Sequence, residues 1–200
     1  MHNDPVGHVD LWGLTASDIA AGESVLQGAA KRADRLQDLI NTDNLAKILS
    51  SNINSFDPAT KAYYAAMPES VRTTAIREQL NKTVVYSGID ASVEQQVFDN
   101  FGATTGVKDG LTIGNSIYVL EEITYMDEPT AEFLGHETIH IVTTSVVGIV
   151  NFTVYNATAP YDESNEYEKA GYSFGGYADS NFPNIDNSNQ ILDRNKDWWK

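Results

Sequence analysis

The sequence has 200 residues, of which 42% are hydrophobic and 20% are charged. This composition is typical of a folded globular protein, and the length allows one domain with a sizeable core. Lys and Arg total 13 against 28 for Asp and Glu, so the formal net charge is −15 and nucleic acid is not an expected partner. The absence of cysteine excludes disulfides, thiolate metal sites and cysteine catalysis.

The beginning of the chain has none of the features of a secretory signal. Met-His-Asn-Asp-Pro lacks a basic segment followed by an apolar one, so we expect no signal peptide here. Residues 1–14 are rich in Pro, Gly, Asn and Asp, which predicts turns or a linker. The longest uncharged stretch, Thr138–Tyr161, is interrupted by polar residues, which favours buried core over stable membrane insertion.

Residues 15–82 are predicted to be a helical segment. Apolar residues recur at three- and four-residue steps from Thr15 to Ile40, which predicts one long helix capped by Thr15 or Ser17. Shorter helices are predicted at Asn44–Leu49, after Asp57 as N-cap with Pro58 as first helical residue, and from Ser70 as N-cap to Leu80. This segment contains no group of catalytic side chains, so we expect it to cover the rest of the protein or connect it to a larger one.

Residues 83–200 are predicted to contain a small sheet and the functional site. Lys82–Ser87 is β-branched and aromatic and predicts a strand, whereas Ser92–Phe101 has the spacing of an amphipathic helix. Leu111–Leu120 alternates in polarity and predicts one strand with a bulge at Gly114. An extended peptide could add to the edge of that strand. The expected fold class is α+β, mainly helical with a small sheet.

The most informative stretch of the chain is Phe133–Val142, which contains His-Glu-x-x-His. Histidines four apart on a helix project from the same face, so His136 and His140 can both bind one metal ion. Glu137 lies beside them and can hold a water molecule and take its proton. We expect this helix to begin near Asp127-Glu128-Pro129 and to end near Val147; Ile149–Asn156 could be either strand or helix.

The third metal ligand is predicted to be a carboxylate. The other two histidines, His2 and His8, lie in the predicted linker, and no cysteine exists. Glu168 follows His140 by 28 residues and lies in a predicted short helix, Asn165–Tyr172, from which it could return to the metal. The alternative carboxylates are Glu166, Asp162 and Glu163.

Two motifs resemble known families. Pro5, then four residues, then Asp10-Leu11-Trp12-Gly13-Leu14 resembles the boundary motif of Rhs and YD-repeat polymorphic toxins, with Leu11 where that family has proline. In that family the motif ends a repeat shell, and the toxin follows. The resemblance implies an effector that is cut from its parent shell, exported or delivered into a target cell, and matched by a cognate immunity protein.

The second resemblance spans about residues 83–175. Gly114-Asn115, the His136 to His140 motif and the segment Asn165–Tyr172 occur in the order found in zincins with a glutamate third ligand and in the metallopeptidase domain associated with contractile injection systems. Gly171 stands where that pattern has alanine. The resemblance implies a zinc metallopeptidase whose Zn²⁺ is held by His136, His140 and Glu168.

The expected function is therefore hydrolysis of a peptide bond in a target protein, with Glu137 as the general base. A tyrosine is the expected donor to the oxyanion, and Tyr155, Tyr161 and Tyr172 are equal candidates. Asn165 and Asp162 are candidates to orient the histidine rings. The alternatives are a zinc amidase that acts on a non-protein amide, and a binding or adaptor module with a structural or vestigial metal site.

Overall fold

The computed structural model describes residues 15–100, 110–120, 131–159 and 164–175. Within these ranges the helices are α1 (Ala16–Ala29), α2 (Leu36–Leu39), α3 (Thr42–Ser51), α4 (Pro58–Ala65), α5 (Glu69–Lys82), α6 (Ala91–Asn100), α7 (Ala131–Val147), α8 (Ile149–Thr158) and α9 (Glu166–Gly175), with a 3₁₀ turn at Ile53–Ser55. The strands are β1 (Arg32–Arg35), β2 (Val84–Ile89), β3 (Gly110–Ile113) and β4 (Ser116–Leu120). The predicted α+β class is confirmed.

The four strands form one mixed sheet in the order β1-β2-β4-β3. β1 is antiparallel to β2, β2 is parallel to β4, and β3 is antiparallel to β4. Gly88 has a φ of 76° at the point where the β2–β4 register shifts, a backbone conformation that favours glycine. β1 and β3 are thus the two edges of the described sheet.

The sheet separates two hydrophobic clusters, because alternate residues of a strand point to opposite faces. On one face, Ile117 and Val119 pack with residues from α3, α5 and α7. On the other face, Tyr118 and Leu120 pack with residues from α1 and α6. The first cluster draws on both the helical segment 15–82 and the region beyond it, so α7 is packed against both.

Several local predictions agree with the structure. Thr15 caps α1 through a capping box with Asp18, and Asp57 caps α4 with Pro58 at its first turn. Helix α7 ends at Val147, and Gly148, at a φ of 90°, separates it from α8. The ambiguous segment Ile149–Asn156 is helical.

Two element predictions are wrong. The helix predicted from Thr15 to Ile40 ends at Ala29. The residues that follow, Arg32–Arg35, form an edge strand whose backbone hydrogen bonds are made with β2 and not within a helix. The single strand predicted at Leu111–Leu120 is instead the hairpin β3–β4, which turns at Gly114-Asn115 with a φ of 59° at Gly114. In addition, α5 begins at Glu69 after Pro68, so Ser70 is not its cap.

Some predictions fall outside the described residues. These are the boundary motif from Pro5 to Leu14, His2, His8, and the caps proposed at Asp127 and Glu128. Within the part of the chain that the structure describes, no helix is both long and apolar enough to cross a bilayer.

Candidate metal centre

Helix α7 carries the two histidines of the motif into the core. Leu134 to Thr144 are all buried, and this continuous burial fits a helix that packs on several sides at once. His136 is 4% and His140 2% exposed. Their Nε2 atoms lie 2.8 Å apart, so both rings point at the same place, as the four-residue spacing predicts.

Helix α9 packs along α7 and brings Glu168 to these histidines. Glu168 Oε2 lies 3.1 Å from Nε2 of His136, and Oε1 lies 3.4 Å from Nε2 of His140. The glutamate is 1% exposed. Glu166, the alternative on the same helix, is exposed to solvent. The structure therefore brings Glu168, and not Glu166, to the histidine pair; Asp162 and Glu163 lie outside the described residues.

The charge of Glu168 dominates the electrostatics of this group. Burial by itself lowers the pKa of His140 and raises the pKa of the Glu168 carboxyl. The attraction between the two outweighs burial in both cases, so the pKa of His140 lies above its ordinary value and the pKa of Glu168 lies well below its own. Glu168 is held as an anion deep in the protein, where a cation is its natural partner.

The donor set fits a zinc ion. Two imidazole nitrogens and one carboxylate oxygen are the ligands of a three-ligand zinc site, which leaves a fourth position open. Oε2 of Glu168 is buried and, although it is at ion-pair distance from His136, makes no directed hydrogen bond within the described part of the chain. A cation between these atoms would use the lone pairs of both rings and neutralise the carboxylate.

Glu137 also lies close to the two histidines. One ligand atom from each of His136, Glu137 and His140 lies within 4.8 Å of the other two. Glu137 is 2% exposed, and Thr112 Oγ1 of β3 donates a hydrogen bond of 2.5 Å to its Oε2. The carboxylate thus lies beside the two histidines, where a general base for a metal-bound water would have to lie.

Asn165 caps the helix that carries Glu168, and in the described part of the chain its side-chain hydrogen bonds do not go to a histidine. Its Oδ1 accepts hydrogen bonds from the backbone N–H groups of Tyr167 and Glu168, at 3.0 and 3.4 Å, and so caps α9. Its Nδ2 donates to Asn156 Oδ1 at 2.9 Å. The prediction that Asn165 orients a histidine ring is therefore corrected: it fixes the start of the helix that carries Glu168. Asp162, the other candidate, lies outside the described residues.

Aromatic rings enclose the histidines. The Tyr172 ring meets the His136 ring edge-on, with centroids 4.9 Å apart, and Phe152 lies against His140 at 5.1 Å. Tyr155 packs on Tyr167 instead, and burial raises the pKa of Tyr167 to about 12. Among the tyrosine candidates, Tyr172 contacts the ring of a candidate ligand, His136.

Gly171 is a packing residue that sequence reasoning missed. A Cβ at this position would lie 2.7 to 2.8 Å from three atoms of the His136 ring. Glycine therefore lets α9 approach α7 closely enough for Glu168 to reach both histidines. The glycine that stands where the resembled pattern has alanine thus has a steric explanation.

We expect Gly171→Ala to displace the His136 ring and to weaken zinc binding about 10- to 100-fold, the effect of disturbing a partner of a ligand. The measurement is zinc affinity by competition with a chromophoric chelator. Gly28→Ala is the matched control, because a Cβ on that helical glycine meets nothing within 4 Å. Equal zinc affinity in the two variants would contradict the steric role of Gly171.

Comparison of the chain with models of protein families, with curated proteins and with solved structures gives no match.

Proposed function

We propose that this chain is a zinc metallopeptidase that serves as the effector domain of a polymorphic toxin. The observation that carries the proposal is the convergence of the His136 and His140 Nε2 atoms on the Glu168 carboxylate, with Glu137 beside them. A structural zinc site is closed by four protein ligands. Here His136, His140 and Glu168 are the three proposed ligands, and the Glu137 carboxylate lies beside them as the proposed base. The toxin context depends on the resemblance of Pro5 to Leu14 to the Rhs boundary, and it implies an immunity protein as a partner.

The roles of the residues follow from their positions. His136, His140 and Glu168 would hold Zn²⁺. When bound, zinc polarises the scissile carbonyl and lowers the pKa of a water molecule in the open position. Glu137 takes the proton of the attacking water and passes it to the departing amine. Tyr172 is the proposed donor to the developing oxyanion, because its ring already contacts the His136 ring.

The test compares three preparations of the full chain: zinc-loaded, stripped by a chelator, and reloaded. Each is incubated with a lysate of target cells, and new protein termini are mapped. We expect new termini from the loaded and reloaded protein and none from the stripped one, with about one zinc per chain by elemental analysis. Identical termini from all three, or a folded protein that takes up no zinc, would reject the proposal. Release of peptidoglycan fragments without new protein termini would favour the amidase alternative.

In the metal-free protein, the ion pair between His140 and Glu168 should make stability depend on pH. Because the pKa of His140 is raised from 6.5, its ion pair stabilises the metal-free protein fully below that value and less as the pH rises through the folded pKa. Because the pKa of Glu168 is lowered from 4.5, its contribution is present above that value and is lost only in stronger acid. The contribution of this pair to the stability of the metal-free protein should therefore be greatest between these two values.

Zinc binding has the opposite trend, because protons compete for the imidazole nitrogens. We expect the difference in melting temperature between zinc-loaded and metal-free protein to widen as the pH rises from about 5.5 to about 8. Differential scanning calorimetry across this range measures it. A difference that stays constant with pH would show that no histidine binds the metal.

A further inference from the structure

Thr112 is a buried polar residue on the sheet face that packs against α7. In the register of the hairpin it lies opposite Ile117, and opposite residues of an antiparallel pair share a face. On that face Ile117, Val119 and Val85 belong to the cluster that packs against α7. Thr112 is itself 5% exposed. A threonine hydroxyl in such a place needs a partner, and Thr112 has one in Glu137.

The hydrogen bond between these residues joins the sheet edge to the metal-centre helix. Thr112 Oγ1 donates to Oε2 of Glu137 at 2.5 Å, across 25 positions of the chain. The Glu137 carbonyl oxygen is 3.5 Å from the same hydroxyl, at the limit for a hydrogen bond. Because a hydroxyl has a single proton, the short contact to the carboxylate is the one that uses it.

This contact restricts the orientation of the carboxylate. A glutamate side chain has three rotatable bonds, and the last of them has a broad, weakly restrained profile. The hydrogen bond from Thr112 holds Oε2 of Glu137 and so restricts the plane of the carboxylate. The other oxygen, Oε1, is then left for a water molecule. Small displacements of a catalytic group lower reaction rates strongly, because geometry supplies much of the rate enhancement.

We propose that Thr112 is a positioning residue, which holds Glu137 in the orientation required for general-base catalysis. This inference rests on the proposed function, since it assigns the support of that same site. It also gives the edge strand β3 a role that does not involve substrate, because a residue of β3 orients the proposed base.

The first test measures the contact in metal-free protein, without reference to activity. Thr112→Val, Glu137→Ala and the double variant are unfolded thermally and compared with the original chain. We expect the fall in melting temperature of the double variant to be smaller than the sum of the two single falls by about 3 °C or more. Additive falls would show that the two side chains do not interact, and would overturn the inference.

The second test measures turnover of a peptide that spans a cleavage site mapped in the lysate experiment. We expect Thr112→Val to lower kcat about 10- to 100-fold with KM and zinc content unchanged. Thr112→Ser, which keeps the hydroxyl, should recover most of this loss. The matched control is Thr83→Val: Thr83 is also buried, but its hydroxyl donates to the Gln79 carbonyl oxygen of α5, so kcat should not change.

The two proposals fail in different ways. If Glu137→Gln cleaves the peptide as well as the original chain does, or if no cleavage is found in the lysate, the proposed function is wrong, while the double-variant comparison still tests the contact. If Glu137→Gln is inactive but Thr112→Val has the original kcat, the role of Thr112 is wrong and the proposed function stands. A loss of kcat that Thr112→Ser does not recover would also overturn the positioning role.

Discussion

Glu137→Gln should strongly reduce hydrolysis while the protein keeps its zinc. The amide has the size of the carboxylate but cannot take a proton from water, and general-base catalysis typically contributes about 10²- to 10⁴-fold to the rate. We therefore expect kcat to fall about 10³-fold. Zinc affinity should change little, because the proposed ligands are His136, His140 and Glu168, and Gln can still accept the hydrogen bond from Thr112.

The measurement pairs cleavage of a mapped lysate peptide with zinc content by elemental analysis. Glu166→Gln provides the control, because this substitution removes the same charge from an exposed position on α9. Full activity in the Glu137 variant would exclude this carboxylate as the base. Loss of zinc together with activity would instead indicate that Glu137 is a metal ligand, an arrangement its distance from the histidines permits.

Glu168→Gln should remove most of the zinc affinity. The substitution replaces a buried anion, which has both histidine nitrogens within 3.4 Å, by a neutral amide. Disturbing a partner of a zinc ligand already lowers affinity about 10- to 100-fold, so loss of the charged ligand itself should exceed about 100-fold. The stability that zinc gives to the fold should fall in parallel, since metal binding and folding are coupled.

Competition with a chromophoric chelator measures the affinity, and the same titration on Glu166→Gln provides the comparison. The two glutamates are two positions apart on α9, but one is 1% exposed and faces the histidines, whereas the other faces solvent. Equal affinities in the two variants would exclude Glu168 as a ligand. A loss confined to Glu166→Gln would mean that α9 binds the metal with its other face.

The helical segment 15–82 packs against α7 and also contacts it through the Asp57 carboxylate. Asp57 caps α4, as the sequence predicts, because its Oδ1 accepts from the N–H groups of Ala59 and Thr60. Its Oδ2 also accepts from Thr143, less than one turn after His140 on α7. The first role is visible in Asp-Pro alone, but the second depends on how α4 and α7 pack.

Edge strand β1 shows most clearly where the spacing of apolar residues fails to predict secondary structure. Its residues continue a three- and four-residue spacing of apolar positions and so look helical, yet they pair with β2. The hairpin β3–β4 is a different kind of error, because Gly-Asn between two β-branched runs is a recognised turn signal. Gly114-Asn115 forms such a turn and not the predicted bulge.

The sequence by itself determined what depends on short-range geometry. The four-residue spacing of His136 and His140, the helix that carries them and the caps at Thr15 and Asp57 are set by neighbours within one or two turns, where residue type and spacing dictate the outcome. It also predicted a carboxylate as the third ligand, since the chain has no cysteine and its only other histidines lie in residues 1–14.

Tertiary structure decided which of several equivalent residues reaches the centre. Glu166 and Glu168 have the same chemistry, and only the packing of α9 on α7, made possible by Gly171, turns Glu168 inward. The contact of Thr112 with Glu137 likewise joins segments 25 positions apart. Such choices depend on the sum of many weak packing contacts between distant parts of the chain, which spacing along the sequence does not encode.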